Sequence, residues 1–316
     1  MMRPRHAATL LVLATACYLP VGWGADNALA PDPDHDCRAC EGWNEPIEPF
    51  RVHGNTWYVG TSGLAALLVT ARNDDGSDAL VLLDGGLTQS APLIAENISS
   101  LGYRLGDVKV ILNSHAHFDH AGGIAALQRA SGANVVASHI AAESLRSGAV
   151  RPYDPQAGYA PENGFPPIDD VHVVADGGTV RVGDLVLTHR WTPGHAPGSS
   201  SWFWQSCEAG ECVNLVYADS LGPVSAEGFR FSAPVDEFGG KTTADMLEAS
   251  TRFLREFDCG VLVSPHPFYF DMTAKLEARA NDPSVNPFLN PSECAGLADR
   301  FSEALEARLT EERSGM

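Results

Sequence analysis

Basic residues are scarce in this chain: Lys and Arg number 21 against 40 Asp and Glu, a formal charge of -19 over 316 residues. Such a surface repels phosphate backbones and anionic headgroups, which argues against nucleic acid or an anionic membrane as a partner. It sets no limit on a small-molecule substrate, because bound cations can reverse the local sign of a cleft. Long apolar runs are also missing beyond the N-terminus, so no transmembrane segment is expected in the mature chain. Nor is the composition that of a disordered or fibrous protein, with 44% apolar and 19% charged residues. The length suits a leader over 1–30 followed by one α/β domain over 31–316.

The leader is read from Arg3 and Arg5 followed by the apolar run Leu10 to Ala16, the pattern of a secretory signal peptide. Cleavage is expected near Ala25 or Ala30. Leu13-Ala14-Thr15-Ala16-Cys17 also has the small-residue-then-cysteine form of a lipoprotein signal, which makes Cys17 a candidate lipid anchor. Export allows thiols to pair. Of seven cysteines, six remain once Cys17 is removed, an even number compatible with three bridges. Sequence order suggests Cys207–Cys212 across a polar turn, and Cys259–Cys294 tying the C-terminal segment to a core strand. Cys37 and Cys40 are left for each other. They sit in a Pro/Asp-rich tail with no strand-to-helix context, which favours a structural pair over a redox motif.

Along the chain, short branched or apolar runs alternate with turn residues, as consecutive strands do. They include Trp57–Gly60, Leu64–Thr70 and Ala79–Leu83, then Val108–Leu112 and Asn134–Ser138. Helices are expected at about 90–101, from Ile124 to Ala130, from Thr243 to Phe257 and from Pro291 to Arg313. The stretch 147–170 dissolves into Gly, Pro, Asp and aromatics, a long loop of the kind that is usually functional.

Several apolar runs end in a polar group suited to a metal. Val108–Leu112 leads to Asn113-Ser114-His115-Ala116-His117-Phe118-Asp119-His120, Leu185–Thr188 to His195, Val213–Tyr217 to Asp219-Ser220, and Gly260–Val263 to His266. Four strands would thus deliver ligands beyond one end of a sheet, where α/β folds place their sites. His115 and His117 share a side of an extended segment, and Asp119 and His120 at the following turn can aim at a second position. We therefore assign His115, His117 and His195 to a first zinc and Asp119, His120 and His266 to a second. Nitrogen-rich ligation with one carboxylate suits Zn2+ better than magnesium or calcium. Of the 11 histidines, His35, His53, His139, His172 and His189 lack partner spacing and are read as structural. Two zinc ions point to hydrolysis, since metal-bound water is a nucleophile near neutral pH. Asp119 would orient the hydroxide or relay its proton, and Asp84 would either fix a ligand's orientation or simply form a turn.

The H-x-H-x-D-H cluster, with Pro193-Gly194-His195, Tyr217-Ala218-Asp219-Ser220 and Ser264-Pro265-His266, resembles the metallo-β-lactamase superfamily over residues 50 to 270. Ser220 at the place of a zinc-binding cysteine, and His120 as the extra ligand, resemble the third subclass of class B enzymes. The resemblance implies an αββα sandwich of two mixed β-sheets flanked by helices. It also implies a bridging hydroxide that attacks the β-lactam carbonyl of penicillins, cephalosporins and carbapenems, and hence antibiotic resistance exerted in the periplasm. By the same resemblance Ser220 and Ser225 would bind the substrate carboxylate. Trp57 and the 147–170 loop, with Tyr153, Gln156, Tyr159 and Phe165, would wall the cleft. Two departures stand out: Gly222 replaces a further hydroxyl two residues after the serine, and Ser62 replaces a disulfide cysteine present in some relatives. A glyoxalase II-like thioesterase or lactonase, with an aspartate near Asp219 bridging the metals, is the alternative. A periplasmic zinc-binding protein without turnover is the second, and a monomer is the default expectation.

Overall fold

The computed structural model describes residues 29–315. The expected signal peptide, apart from its last two positions, and Cys17 lie outside the described residues. A short helix α1 (Cys40–Trp43) precedes the antiparallel strands β1 (Phe50–His53), β2 (Thr56–Tyr58), β3 (Leu67–Arg72) and β4 (Asp78–Leu83). Helix α2 (Ser90–Ser100) returns the chain to β5 (Val108–Leu112), which runs parallel to β4. Helices α3 (Phe118–Ala121) and α4 (Ile124–Ser131) lead to β6 (Asn134–Ala137), and α5 (His139–Ser147) leads to β7 (Val171–Val173), both strands again parallel. These form one seven-stranded sheet in the order β1 to β7.

The second sheet holds β8 (Thr179–Val182), β9 (Leu185–Trp191), β10 (Ser200–Glu208) and β11 (Glu211–Tyr217), all antiparallel. Helix α6 (Thr243–Glu256) then brings in β12 (Val261–Val263) parallel to β11, and α7 (Met272–Asn281) and α8 (Glu293–Ser314) finish the chain. The architecture is the expected sandwich: two mixed sheets with helices outside.

The pleat explains the layering. Leu67 and Val69, Val81 and Leu83, and Val110 and Leu112 belong to the core between the sheets, whereas Leu68, Leu80, Leu82 and Ile111 belong to the core under α2, α4 and α5. Alternate residues of one strand point to opposite faces, so this sheet is apolar on both sides. Each such side chain contributes about 1.5–3 kcal/mol on burial. The five-stranded sheet is covered by α6 and α8, through Leu247, Leu254, Leu297 and Phe301 and through Phe203 against Phe257. Helix α6 starts with a capping box, Thr242 and Asp245 each bonding the other's backbone N–H.

Three expectations are corrected. The ligand-bearing strands do not share one sheet: β5 lies in the seven-stranded sheet, and β9, β11 and β12 in the other. The nine-residue β10 was not anticipated, because its run Ser200-Ser201-Trp202-Phe203-Trp204-Gln205-Ser206 mixes serines with aromatics. Its buried serines are satisfied locally, Ser200 Oγ by His189 and Ser201 Oγ by Thr192. Residues 31–49 are not a loose tail either. Arg129 donates to Ala30 O and pairs with Asp32, and Gln89 bonds the backbone of His35 on both its N–H and its C=O. All three disulfides form as expected: Cys37–Cys40, Cys207–Cys212 and Cys259–Cys294.

Candidate metal centre

The two sheets are stitched together where β5, β11 and β12 end. Trp202 Nε1 donates to Asn113 O at 3.1 Å, Ser200 N to Ser114 O at 2.8 Å, and Ala65 N to Pro265 O at 2.8 Å. Asp84 is the hub. It adopts φ +61, a strained value for a non-glycine residue. Its carboxylate accepts from Ser114 N at 2.7 Å, Ser114 Oγ at 2.6 Å and Tyr217 Oη at 2.8 Å. Next to it Gly85 N donates to His120 O at 2.9 Å, and a Cβ on Gly85 would lie 2.7 Å from Ile124 N. Asp84 therefore does more than close a turn: it pins the backbone just before His115, while the adjoining Gly85 holds that of His120. Burial pushes its pKa up to about 6, against the lowering pull of His120 and its hydrogen bonds.

The expected donors are brought together. One ring nitrogen each of His115, His117 and His195 lie within 4.8 Å of one another, and so do donor atoms of His115, Asp119 and His120. Asp119 Oδ2 is 3.2 Å from His120 Nε2 and 3.4 Å from His266 Nε2. All six residues are buried. His115 thus stands at the seam between the two sets, and His266 joins the second through Asp119.

The outward nitrogens fix which atoms face inward. His115 Nδ1 is 2.7 Å from Asp219 Oδ1, His117 Nε2 is 3.1 Å from Asp154 Oδ2, His195 Nδ1 is 2.8 Å from Gly222 O, and His266 Nδ1 is 3.2 Å from Gly63 O. Carboxylates and carbonyls only accept, so each of these nitrogens carries the proton and the other ring nitrogen presents a lone pair. Gln156 reads that arrangement: its amide nitrogen is 3.3 Å from His117 Nδ1 and 3.4 Å from His195 Nε2. His115 Nε2 and both nitrogens of His120 are buried with no hydrogen-bond partner. The close approach of His120 Nε2 to Asp119 lacks hydrogen-bond geometry. Orphaned polar atoms of this kind cost about 1–3 kcal/mol each, and inward lone pairs on neutral imidazoles are what a borderline-soft divalent cation requires. The donor set therefore fits zinc.

Electrostatics divide the imidazoles, since burial acts downward on His120 but Asp119 outweighs it and raises the pKa. Burial, with His120 and His117 nearby, holds the His115 imidazole well below its ordinary range; burial, with His115 and His117, pushes His195 down to about 3. For Asp119 burial acts upward, but His120 and His266 outweigh it and keep the carboxylate ionised. His117 goes the other way, because Asp154 outweighs the cost of burial.

Over these residues opens a cleft of about 720 Å³, within the range typical of small-molecule sites. His117, Asp119, His195 and His266 form its floor, Gln156 and Tyr159 one wall, and Trp43, Phe268 and Tyr269 another. Some expected wall residues are elsewhere. Trp57 lies under the guanidinium of Arg51, 4.6 Å from its ring centroid, because it alternates with the inward-facing Thr56 and Tyr58. Ser225 accepts from Arg308 through its hydroxyl and from Tyr159 through its carbonyl. Neither lines the cleft. Tyr153 packs on Phe238, and Phe165 is in the core under α5. Ser220 is fully buried beside Asp219 with its hydroxyl unpartnered.

Three functional positions escaped sequence reasoning. Asp154 and Asp219 hold the outer nitrogens of His117 and His115. Asp154 sits in a turn-rich loop, and the sequence offers Asp219 as a strand-end metal-binding group or, in the alternative reading, as a bridge between metals. His35, taken as structural, lines the cleft and stacks on Phe118 with ring centroids 4.1 Å apart.

Residues 61–208 match the family model of the metallo-beta-lactamase superfamily. The Rm3 metallo-beta-lactamase structure is 45% identical, covering 88% of this chain and 99% of its own, with a TM-score of 0.82. The chain belongs to the metallo-β-lactamase superfamily. MEM-A1, a subclass B3 metallo-beta-lactamase isolated from a soil metagenome library, is 40% identical over 87% of this chain and 100% of its own, with a TM-score of 0.80. SMB-1, solved in a complex with mercaptoacetic acid, is 37% identical over 85% and 99%, with a TM-score of 0.77. Within the superfamily the chain is thus built like the subclass B3 hydrolases, and the third-subclass expectation drawn from Ser220 and His120 holds.

Proposed function

We propose that this protein hydrolyses the amide bond of β-lactams with two zinc ions, the first held by His115, His117 and His195 and the second by Asp119, His120 and His266. The observation that carries the proposal is the pair of donor sets with their lone pairs turned inward and their outer nitrogens fixed by Asp219, Asp154, Gly222 O and Gly63 O. Zinc bound there supplies a water of lowered pKa and a Lewis acid for the scissile carbonyl. The protein's own part is to fix the imidazoles, with burial favouring the neutral form of His115 and His195. Asp119 stays ionised, so its carboxylate can accept a proton from the attacking water and pass it on. Trp43, Phe268 and Tyr269 give the open cleft an apolar wall beside His266 against which the body of a substrate can pack. Ser220 is fully buried and does not line the cleft, so it carries no substrate contact in this reading.

The alternative thioesterase or lactonase reading needs an aspartate between the metals. Asp219 commits Oδ1 to the outer nitrogen of His115 and leaves Oδ2 buried without a partner, so turnover, not this contact, separates the two readings. Residues 1–30 would direct export, placing a monomeric enzyme in the periplasm, where hydrolysis confers antibiotic resistance. The test is turnover by zinc-loaded protein of a penicillin, a carbapenem and a lactoyl thioester, with and without chelator. Chelator-sensitive loss of the β-lactams is expected; turnover of the thioester alone refutes the reading.

A further inference from the structure

Besides Asp119 on its floor the cleft is lined by the acidic Asp36 and Glu162, and among the described residues by a single Lys or Arg, Arg38. The basic side chains of this acidic protein are mostly engaged: Arg51, Arg72, Arg129, Arg190 and Arg255 each pair with a carboxylate. The guanidinium of Arg38 makes no ion pair or hydrogen bond with any described residue.

Its backbone, by contrast, is held firmly. Arg38 stands inside the loop closed by the Cys37–Cys40 disulfide and by the Cys40 N to Cys37 O hydrogen bond. Upstream, His35 N donates to Thr88 Oγ1 and Gln89 Oε1, and its ring stacks on Phe118, the neighbour of Asp119. Downstream, Trp43 packs 5.3 Å from the His266 ring, and its carbonyl accepts from Thr61 Oγ1 and Gly63 N. The strap is therefore moored on both sides of the metal-site residues. A cation left unpaired on a preorganised loop above a reaction site is arranged to meet an anion.

We propose that Arg38 binds the carboxylate of the substrate and is a specificity-determining residue for the reaction proposed above, on which this inference rests. β-Lactams of the fused-ring classes carry a carboxylate next to the lactam nitrogen. A guanidinium at the cleft edge can therefore orient the scissile bond over the floor residues without touching the reacting atoms. Binding of this kind is equal in the ground and transition states, so it acts on KM and not on kcat.

The experiment compares wild-type, Arg38→Ala and Arg38→Lys zinc-loaded proteins on a penicillin and on its methyl ester. For the acid, Arg38→Ala raises KM about two- to fivefold, the scale of an exposed ion pair, with kcat essentially unchanged. Arg38→Lys recovers part of the loss. The ester shows no difference among the three proteins, and rising ionic strength raises KM only where Arg38 and the free carboxylate are both present. Equal shifts for acid and ester, or none, overturn the proposal. If no protein in the set hydrolyses any β-lactam, the lactamase reading falls, and the role of Arg38 is read from Kd values for mercaptoacetate and 2-mercaptoethanol. Selective loss of mercaptoacetate affinity in Arg38→Ala supports anion recognition; no loss, or equal loss of both, overturns it.

Discussion

Removing the charge of Asp219 separates its role as an orienter of His115 from that of a bridging ligand. Both residues are fully buried and their contact is 2.7 Å. A hydrogen bond to a charged group is worth about 1.5–3 kcal/mol, or roughly ten- to a hundredfold in an equilibrium constant. Loss of such outer partners typically lowers metal affinity by about 10–100-fold. Asp219→Asn keeps an oxygen acceptor but not the charge, so zinc affinity at the His115 set should fall about tenfold. Asp219→Leu, which removes the acceptor, should cost about a hundredfold.

Stability should move less. Burial already pushes the Asp219 pKa up to about 6, against the lowering pull of His195, Ser199 and His120, so a neutral side chain suits the position. Competition against a fluorescent chelator gives the affinities, and elemental analysis gives the stoichiometry. kcat/KM at limiting zinc should track occupancy, and excess zinc should restore the Asn variant. Unchanged zinc affinity in Asp219→Leu would refute the orienting role. Selective loss of the second ion would mean that Asp219 bridges, and would revive the thioesterase reading.

Other outcomes follow from the same geometry. Trp57→Ala should leave KM for β-lactams within about twofold, while Trp43→Ala, which removes a cleft wall beside His266, should raise it about tenfold; steady-state kinetics of the two variants decides. His120→Ala should reduce bound zinc from two ions toward one and lower kcat/KM, read by elemental analysis alongside rates. Replacing Cys259 and Cys294 by serine opens a bridge spanning 35 residues, which should cost about 4 kcal/mol by loop-closure entropy, seen as a lowered Tm with little change in kcat.

The parts of the site that were legible in the sequence are those whose signal is local. His115 to His120 sit within six positions, and His195 and His266 follow apolar runs that could only be buried strands. What sequence spacing does not encode is which side of an imidazole a carboxylate will approach, so Asp219 and Asp154 stayed hidden as orienters. Trp57 was misplaced for a related reason: β2 alternates, and whether its odd or even positions face the cleft depends on its pairing with Leu68. The strap over the cleft could not be read because its position rests on contacts such as His35 with Gln89, 54 residues away, and a polar Pro-rich segment has no periodicity of its own to reveal them.

The division of ligands between two sheets has an energetic consequence. His115 and its neighbours hang from β5, whereas Asp219, His195 and His266 follow strands of the other sheet. The Asp219–His115 bond and the Tyr217–Asp84 bond both cross that boundary. Neither donor set is complete until the sheets dock with Trp202 seated against Asn113. A metal that binds only the docked state stabilises it by RT ln(1 + [L]/Kd), about 2.7 kcal/mol at a hundred times Kd. Buried imidazoles whose inward nitrogens lack partners would weaken a metal-free sandwich, so zinc binding as proposed above would be coupled to sheet docking.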